Sequence, residues 1–197
     1  MKRRKFTGSL RWNRVVTKGC VLALAVLLAG PGTDAFADKW PQFRGIRTDG
    51  IAESSHPVQW NETQNVAWMI RLKGEGWSCP VVWGNQLFLT EAVPIDPGKA
   101  GENLKPEEYR GGGGTRRDDL TKINYLWQVV SLDAQTGSEQ WRKTAREGRP
   151  VMPRHSSNTY ATETPITDGT RVYAYFGMMG LYCYDFDGNL LWNKDLG

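Results

Sequence analysis

Only 3 cysteines occur in 197 residues, and no two of them form Cys-x-x-Cys, so no zinc or haem site is suggested. Helical periodicity is missing as well. After Ala37 no stretch sustains apolar residues at three- and four-residue intervals, which argues against a helical core. The run Gly111 to Gly114 lacks a following Lys-Ser/Thr and a following helix pattern, so it is not a phosphate loop. An excess of positive charge is also absent from most of the chain. The formal charge is +4, but residues 1–37 hold 7 of the 25 Lys+Arg and 1 of the 21 Asp+Glu. The remainder carries −2, which is no electrostatic footprint for nucleic acid.

Residues 1–37 read as a targeting segment. Lys2, Arg3, Arg4, Lys5, Arg11, Arg14 and Lys18 form a basic start, and Gly19 to Gly30 is an uncharged apolar run. That run is shorter than the ~20 residues a spanning helix needs. Ala35-Phe36-Ala37 supplies small residues where a signal peptidase cuts. The expectation is a signal peptide cleaved after Ala37, placing the protein in the periplasm or outside the cell, with membrane contact only through the export signal. An uncleaved anchor is the alternative. Export leaves Cys79 and Cys183 in an oxidising compartment. They pair or stand apart, and the apolar, strand-like surroundings of each favour two separate thiols.

What is present is alternation broken by tight turns. Residues 38–64 form an irregular arm with Trp40, Pro41, Phe43 and Trp60 among polar residues. Asn65 to Leu72 alternates and predicts a strand. Pro80 to Thr90 predicts a hairpin turning at Gly84-Asn85, and Pro165 to Tyr175 repeats it at Asp168-Gly169, 85 residues later. The pattern lapses over residues 91–123, whose composition suits a mobile surface insertion. Leu126 to Leu132 leads into Asp133, a polar turn and a segment ending on Trp141. Cys183 to Trp192 repeats that figure with a turn one residue shorter. Lys143 to Tyr160 reads as a second irregular stretch. Four short strands per unit, with Trp141 and Trp192 spaced 51 residues apart, imply an all-β β-propeller of four-stranded antiparallel blades. About two blades are expected over 65–197, together with a ring-closing strand at Trp68. The recurrent indole buries a flat apolar surface between blades while its N–H needs one acceptor.

Ser131-Leu132-Asp133-Ala134-Gln135-Thr136-Gly137-Ser138-Glu139-Gln140-Trp141 resembles the tryptophan-docking motif of pyrroloquinoline quinone (PQQ)-type propellers, Ala-x-Asp-x-x-Thr-Gly-x-x-x-Trp. Ser131 stands in the Ala position, and Asp133, Thr136, Gly137 and Trp141 match. The second copy keeps Asp185, Gly188 and Trp192 and lacks the Thr. Trp40-Pro41-Gln42-Phe43-Arg44-Gly45 and Tyr160-Ala161-Thr162-Glu163-Thr164-Pro165 also resemble exported bacterial PQQ-like repeat proteins. The resemblance implies seven or eight blades in a closed ring, so the chain reads as the front part of a longer protein.

That family includes quinone-dependent dehydrogenases and non-catalytic scaffolds such as the propeller lipoprotein of outer-membrane barrel assembly. Two functions follow from it. One is an exported scaffold that binds a protein, a glycan or another cell-envelope partner without catalysis and without a cofactor. The other is a quinoprotein alcohol or sugar dehydrogenase holding PQQ and calcium in the channel. The dehydrogenases carry an adjacent Cys-Cys pair, which is absent here, so binding is the favoured reading. Arg154, His155, Asn158, Tyr160 and Glu163 precede an innermost strand and are the candidate binding residues at the channel face, with Trp77 as a stacking wall. Packing of the loop and of the blade are the corresponding structural roles for these residues.

Overall fold

The computed structural model describes residues 39–52, 57–95, 122–155 and 157–196. The leader 1–37 with its cleavage point, and the Gly111 to Gly114 run, lie outside these residues. Eight strands are present among the described residues: β1 (Val81–Trp83), β2 (Gln86–Ile95), β3 (Asn124–Asp133), β4 (Glu139–Gly148), β5 (Ile166–Thr167), β6 (Arg171–Tyr175), β7 (Leu181–Asp185) and β8 (Leu190–Lys194). A 3₁₀ turn, Gly177–Met179, joins β6 to β7. The strands form two antiparallel four-stranded sheets in sequence order, β1-β2-β3-β4 and β5-β6-β7-β8. The all-β, bladed architecture read from the sequence is the one observed.

Both blades use the same devices. In the first, Ser131 pairs with Trp141 and Leu132 with Glu139, so Gln140 bulges out of the ladder. In the second, Cys183 pairs with Trp192 and Tyr184 with Leu190, so Leu191 bulges. A bulge of this kind raises the local twist and re-aims the side chains beside it. The turn that follows is organised by its aspartate. Asp133 Oδ1 accepts from the backbone N–H groups of Gln135 and Thr136 and from the Thr136 hydroxyl. Asp185 accepts from Asp187 and Asn189 in the same way. These donors hold both carboxyls below the usual carboxylate range, Thr136 dominating at Asp133 and Asn189 at Asp185.

The blades share one core. Val81, Phe88, Trp127 and Val129 of the first pack with Val172, Ala174, Tyr182 and Tyr184 of the second. Trp141 locks them together. Its Nε1 donates to the Phe186 carbonyl at 2.7 Å, and its ring lies over Gly188, where an added Cβ would sit 2.8 Å from it. Trp68 makes the equivalent contact one unit earlier, donating to the Ala134 carbonyl at 3.0 Å and covering Gly137. Gly137 and Gly188 have φ of +71° and +79°, the left-handed region in which a side chain is strained. In each turn, therefore, glycine both permits the bend and admits the indole. Trp192 is 44% exposed, and its one ring pairing among the described residues is with Tyr173 at 6.1 Å.

Three sequence expectations change in detail. Residues 65–72 pair with no strand among the described residues; they cover Leu89, Val130 and Leu132 on the free face of the first blade through Trp68 and Leu72. Trp68 and Leu72 are the half-buried residues of this segment, while Val66 and Ile70, in step with them, stay exposed. The second hairpin strand also does not lapse at Glu91 but runs to Ile95, pairing Glu91 with Gln128 and Ile95 with Asn124. β4 likewise continues past Trp141 to Gly148. The β2 extension does not alternate because Glu91 to Pro94 are buried on both faces, and the β4 extension does not because none of its residues from Lys143 to Gly148 is buried. The arm follows the free edge of the inner strands: Trp40 and Val82 exchange both backbone bonds at 2.9 Å, and Thr167 donates to the Pro41 carbonyl. Cys79 and Cys183 are separate free thiols, Cys183 buried within β7.

Candidate functional site

The loop between β4 and β5 is pinned from within. The Arg154 guanidinium donates to the Asn158 carbonyl and, at 3.1 Å, to the Glu75 carboxylate. The two charged side chains are 12% and 9% exposed. Arg154 also lies over the Tyr160 ring, 5.6 Å from its centre. Tyr160 in turn meets Tyr125 edge-on at 5.0 Å, and its carbonyl accepts from the Trp127 indole at 2.9 Å. Burial pushes the Tyr160 phenol above its ordinary range. Asn158 turns its side-chain oxygen inward to accept from the N–H of Thr159 and the hydroxyl of Thr162. Arg154, Asn158 and Tyr160 thus hold the loop as well as lining it.

Opposite the loop stand the end of β6 and the 3₁₀ turn. Between them opens a cleft of about 340 Å³. Of the six residues singled out by sequence, Arg154, His155, Asn158, Tyr160 and Glu163 come together on its wall. Trp77 does not line it; its backbone N–H donates to the Ala161 carbonyl and its indole is 59% exposed. The rest of the wall was not singled out. Met152, Tyr175 and Met178 are exposed there, and Phe176 and Met179 are buried at its floor. The one sequence signal for them was Gly177-Met178-Met179-Gly180, where two glycines with φ of +58° and +108° force a tight corner and turn adjacent methionines outward and inward.

The polar groups do not assemble a reacting centre. Ser157 Oγ lies 2.6 Å from His155 Nδ1, a separation suited to a nucleophile and its base. The same Nδ1 is also met by the Ser157 backbone N–H at 3.2 Å, and no third group among the described residues orients the imidazole. The contact is a local loop closure. No group of three His, Cys, Asp or Glu among the described residues is placed to hold a metal ion. The cleft offers one carboxylate, Glu163, against the roughly six to eight oxygens that calcium takes.

Residues 127–197 match the family described as outer membrane protein assembly factor BamB. Over that stretch the chain is similar to PQQ-like repeat proteins. The matched segment begins inside β3 and takes in the Asp133 turn, the Trp141 lock, the cleft loop and the whole second blade. No curated protein matches the chain. The repeat architecture thus rests on two independent observations, the family match and the recurrence of bulge, aspartate turn and docked indole in both blades.

Proposed function

We propose that this PQQ-like repeat protein is an exported scaffold that binds a protein, a glycan or another cell-envelope partner at the cleft, and turns nothing over. The observation that carries the reading is the contrast between the two sides of the cleft wall. Its framework is rigid, because Arg154 is neutralised by Glu75 and packed on Tyr160. Its accessible surface is apolar, with Val151, Met152, Tyr175 and Met178 between 39% and 60% exposed. Exposed apolar side chains on a rigid sheet-borne loop favour recognition, whereas turnover needs a convergent set of titratable groups.

Substitution at Met152 and Tyr175 tests recognition better than substitution at Arg154, whose loss disturbs the loop itself. A photo-crosslinker placed at Met152 should trap a defined envelope component, and Tyr175→Ser should abolish the trapping while leaving the melting temperature nearly unchanged. After loading with PQQ and calcium, dye-linked alcohol or sugar oxidation should stay at the no-protein baseline. Quinone-dependent turnover would overturn the reading. So would an N-terminus at Met1 in the mature protein, where export predicts Asp38.

A further inference from the structure

Glu163 is the one carboxylate on the cleft wall, and nothing in the wall answers its charge. The side chain is half-buried, and among the described residues no hydrogen bond or ion pair reaches the carboxylate; only the backbone carbonyl is used, accepting from the Thr90 hydroxyl at 3.3 Å. Arg154, the arginine of the lining, is engaged elsewhere, on the Glu75 carboxylate and the Asn158 carbonyl. His155 turns Nδ1 to its own loop, accepting from the Ser157 N–H. Beside the carboxylate stands Gly177, which also lines the cleft. A Cβ there would meet Glu163 Oε1 at 3.7 Å and no other neighbour within 4 Å. Its φ of +58° favours glycine, and the missing side chain leaves the carboxylate accessible from the cleft. Any occupant takes water away from that carboxylate. Burying a charge unpaired is costly, so the occupant must bring a donor, and a cation is the strongest one.

We infer that the cleft takes a basic side chain, arginine or lysine, from a protein partner, with the head group on Glu163 and the aliphatic stem along Met152, Tyr175 and Met178. The inference rests on the partner-binding reading and names what the partner presents. Long basic side chains lay their methylene stem on apolar surface while the charged head reaches a polar group. The three exposed side chains supply that surface, and methionine adapts to a stem through its three rotatable bonds. A cleft of about 340 Å³ lies near the lower bound of ligand pockets, roughly 300 Å³, which suits an inserted side chain. A glycan is less well served. Arg154 and Asn158, which could meet sugar hydroxyls, are turned into the loop.

The probe is a blocked pentapeptide with arginine at its centre and leucine on either side, together with its twin carrying citrulline, which keeps the shape of arginine without the charge. Binding is followed on the full chain through ¹³C-labelled methionine methyl groups. The arginine peptide should shift the Met152 and Met178 signals, leave Met69, 69% exposed outside the cleft, unmoved, and bind about tenfold or more tighter than the citrulline peptide. Glu163→Gln should bring the arginine peptide down to the citrulline level with the melting temperature unchanged, because the carboxylate holds no described contact of the fold. Equal affinity for the two peptides would overturn the inference. So would an arginine preference that survives Glu163→Gln. Crosslinking from Met152, repeated in Glu163→Gln, separates this inference from the reading beneath it. A trapped protein that is lost in the variant supports both. Undiminished trapping in the variant, or a trapped species that resists protease, overturns the basic side chain and leaves partner binding standing. Absence of any trapped species with Glu163 in place overturns partner binding, and this inference with it.

Discussion

Glu91 and Arg142 show how far a single residue can depart from what its type suggests. Glu91 has no exposed surface; one carboxylate oxygen meets Arg142 and the other accepts the Gly74 N–H at 2.9 Å. Arg142, 11% exposed, also donates to Glu139 and to Gln128. Burial lowers its basicity, and a guanidinium stays protonated in proteins all the same. A buried pair adds little net stability, because desolvation offsets the attraction. Removing Glu91 is different, since it leaves the buried Arg142 with the more exposed Glu139 as its remaining carboxylate and leaves the Gly74 donor unpaired. Glu91→Ala should therefore cost about 3–5 kcal/mol in thermal or denaturant melts. Exposed Glu147→Ala should stay within about 0.5 kcal/mol. Equal effects would show that the pair does not hold β2 to β4. In sequence, Glu91 looks like the start of a polar insertion, because a lone acid carries no mark of the arginine 51 residues later.

At the scale of elements, the docking tryptophans look alike in sequence and differ in consequence. Trp141 is held between the blades by a 2.7 Å hydrogen bond and by Phe88 and Tyr184 at ring separations of 5.9 and 6.1 Å. Trp141→Ala should destabilise by about 3–5 kcal/mol, as for other large buried aromatics. Trp192→Ala should cost distinctly less, because its indole is 44% exposed and lacks an acceptor carbonyl among the described residues. Gly188→Ala should mimic part of the Trp141 loss. A left-handed backbone costs roughly 1–2 kcal/mol for a non-glycine residue, and the new Cβ would collide with the indole at 2.8 Å. Melting curves of the three variants decide this. A Gly188→Ala protein as stable as wild type would mean that the indole does not dock on the turn. The Asp, the Gly and the Trp were all legible in sequence. Which turn each Trp reaches was not, because that contact spans blades: Trp141 to Phe186, and Trp68 to Ala134.

For the whole molecule, the turns of both blades share a dependence on ionised aspartate. Asp168 is held well below the usual carboxylate range by the Tyr173 hydroxyl first and then by Thr170. Asp133 and Asp185 are lowered by donors in their own turns. A carboxyl with a depressed pKa in the folded state contributes stability above its ordinary value of 3.8. That contribution is lost as pH falls through 3.8 and on through the lower folded values. The melting temperature should therefore fall as the solution is acidified from about pH 5 toward pH 2. Replacing all three aspartates with asparagine should flatten that dependence, at the expense of a lower melting temperature near neutrality. A slope unchanged by the replacements would place the acid sensitivity elsewhere.

The sequence by itself determined the blade. Alternation, the paired Gly-containing turns, the Asp-to-Gly corners and the recurrent Trp are local features with a period of two or a fixed offset, so they can be read without knowing what lies opposite. It also determined that the loop from Arg154 to Glu163 would be one unit, because those residues are neighbours in the chain. Only the tertiary structure decided what the loop faces. The cleft exists because the blade interface brings the 3₁₀ turn at Gly177–Met179 against that loop, placing Met178 and Met179 beside Met152 and His155. Only the fold, too, turned Arg154 inward to Glu75, 79 residues away, making it part of the loop's support as well as its surface. Such pairings follow from packing of one blade on another, and local periodicity carries no record of them.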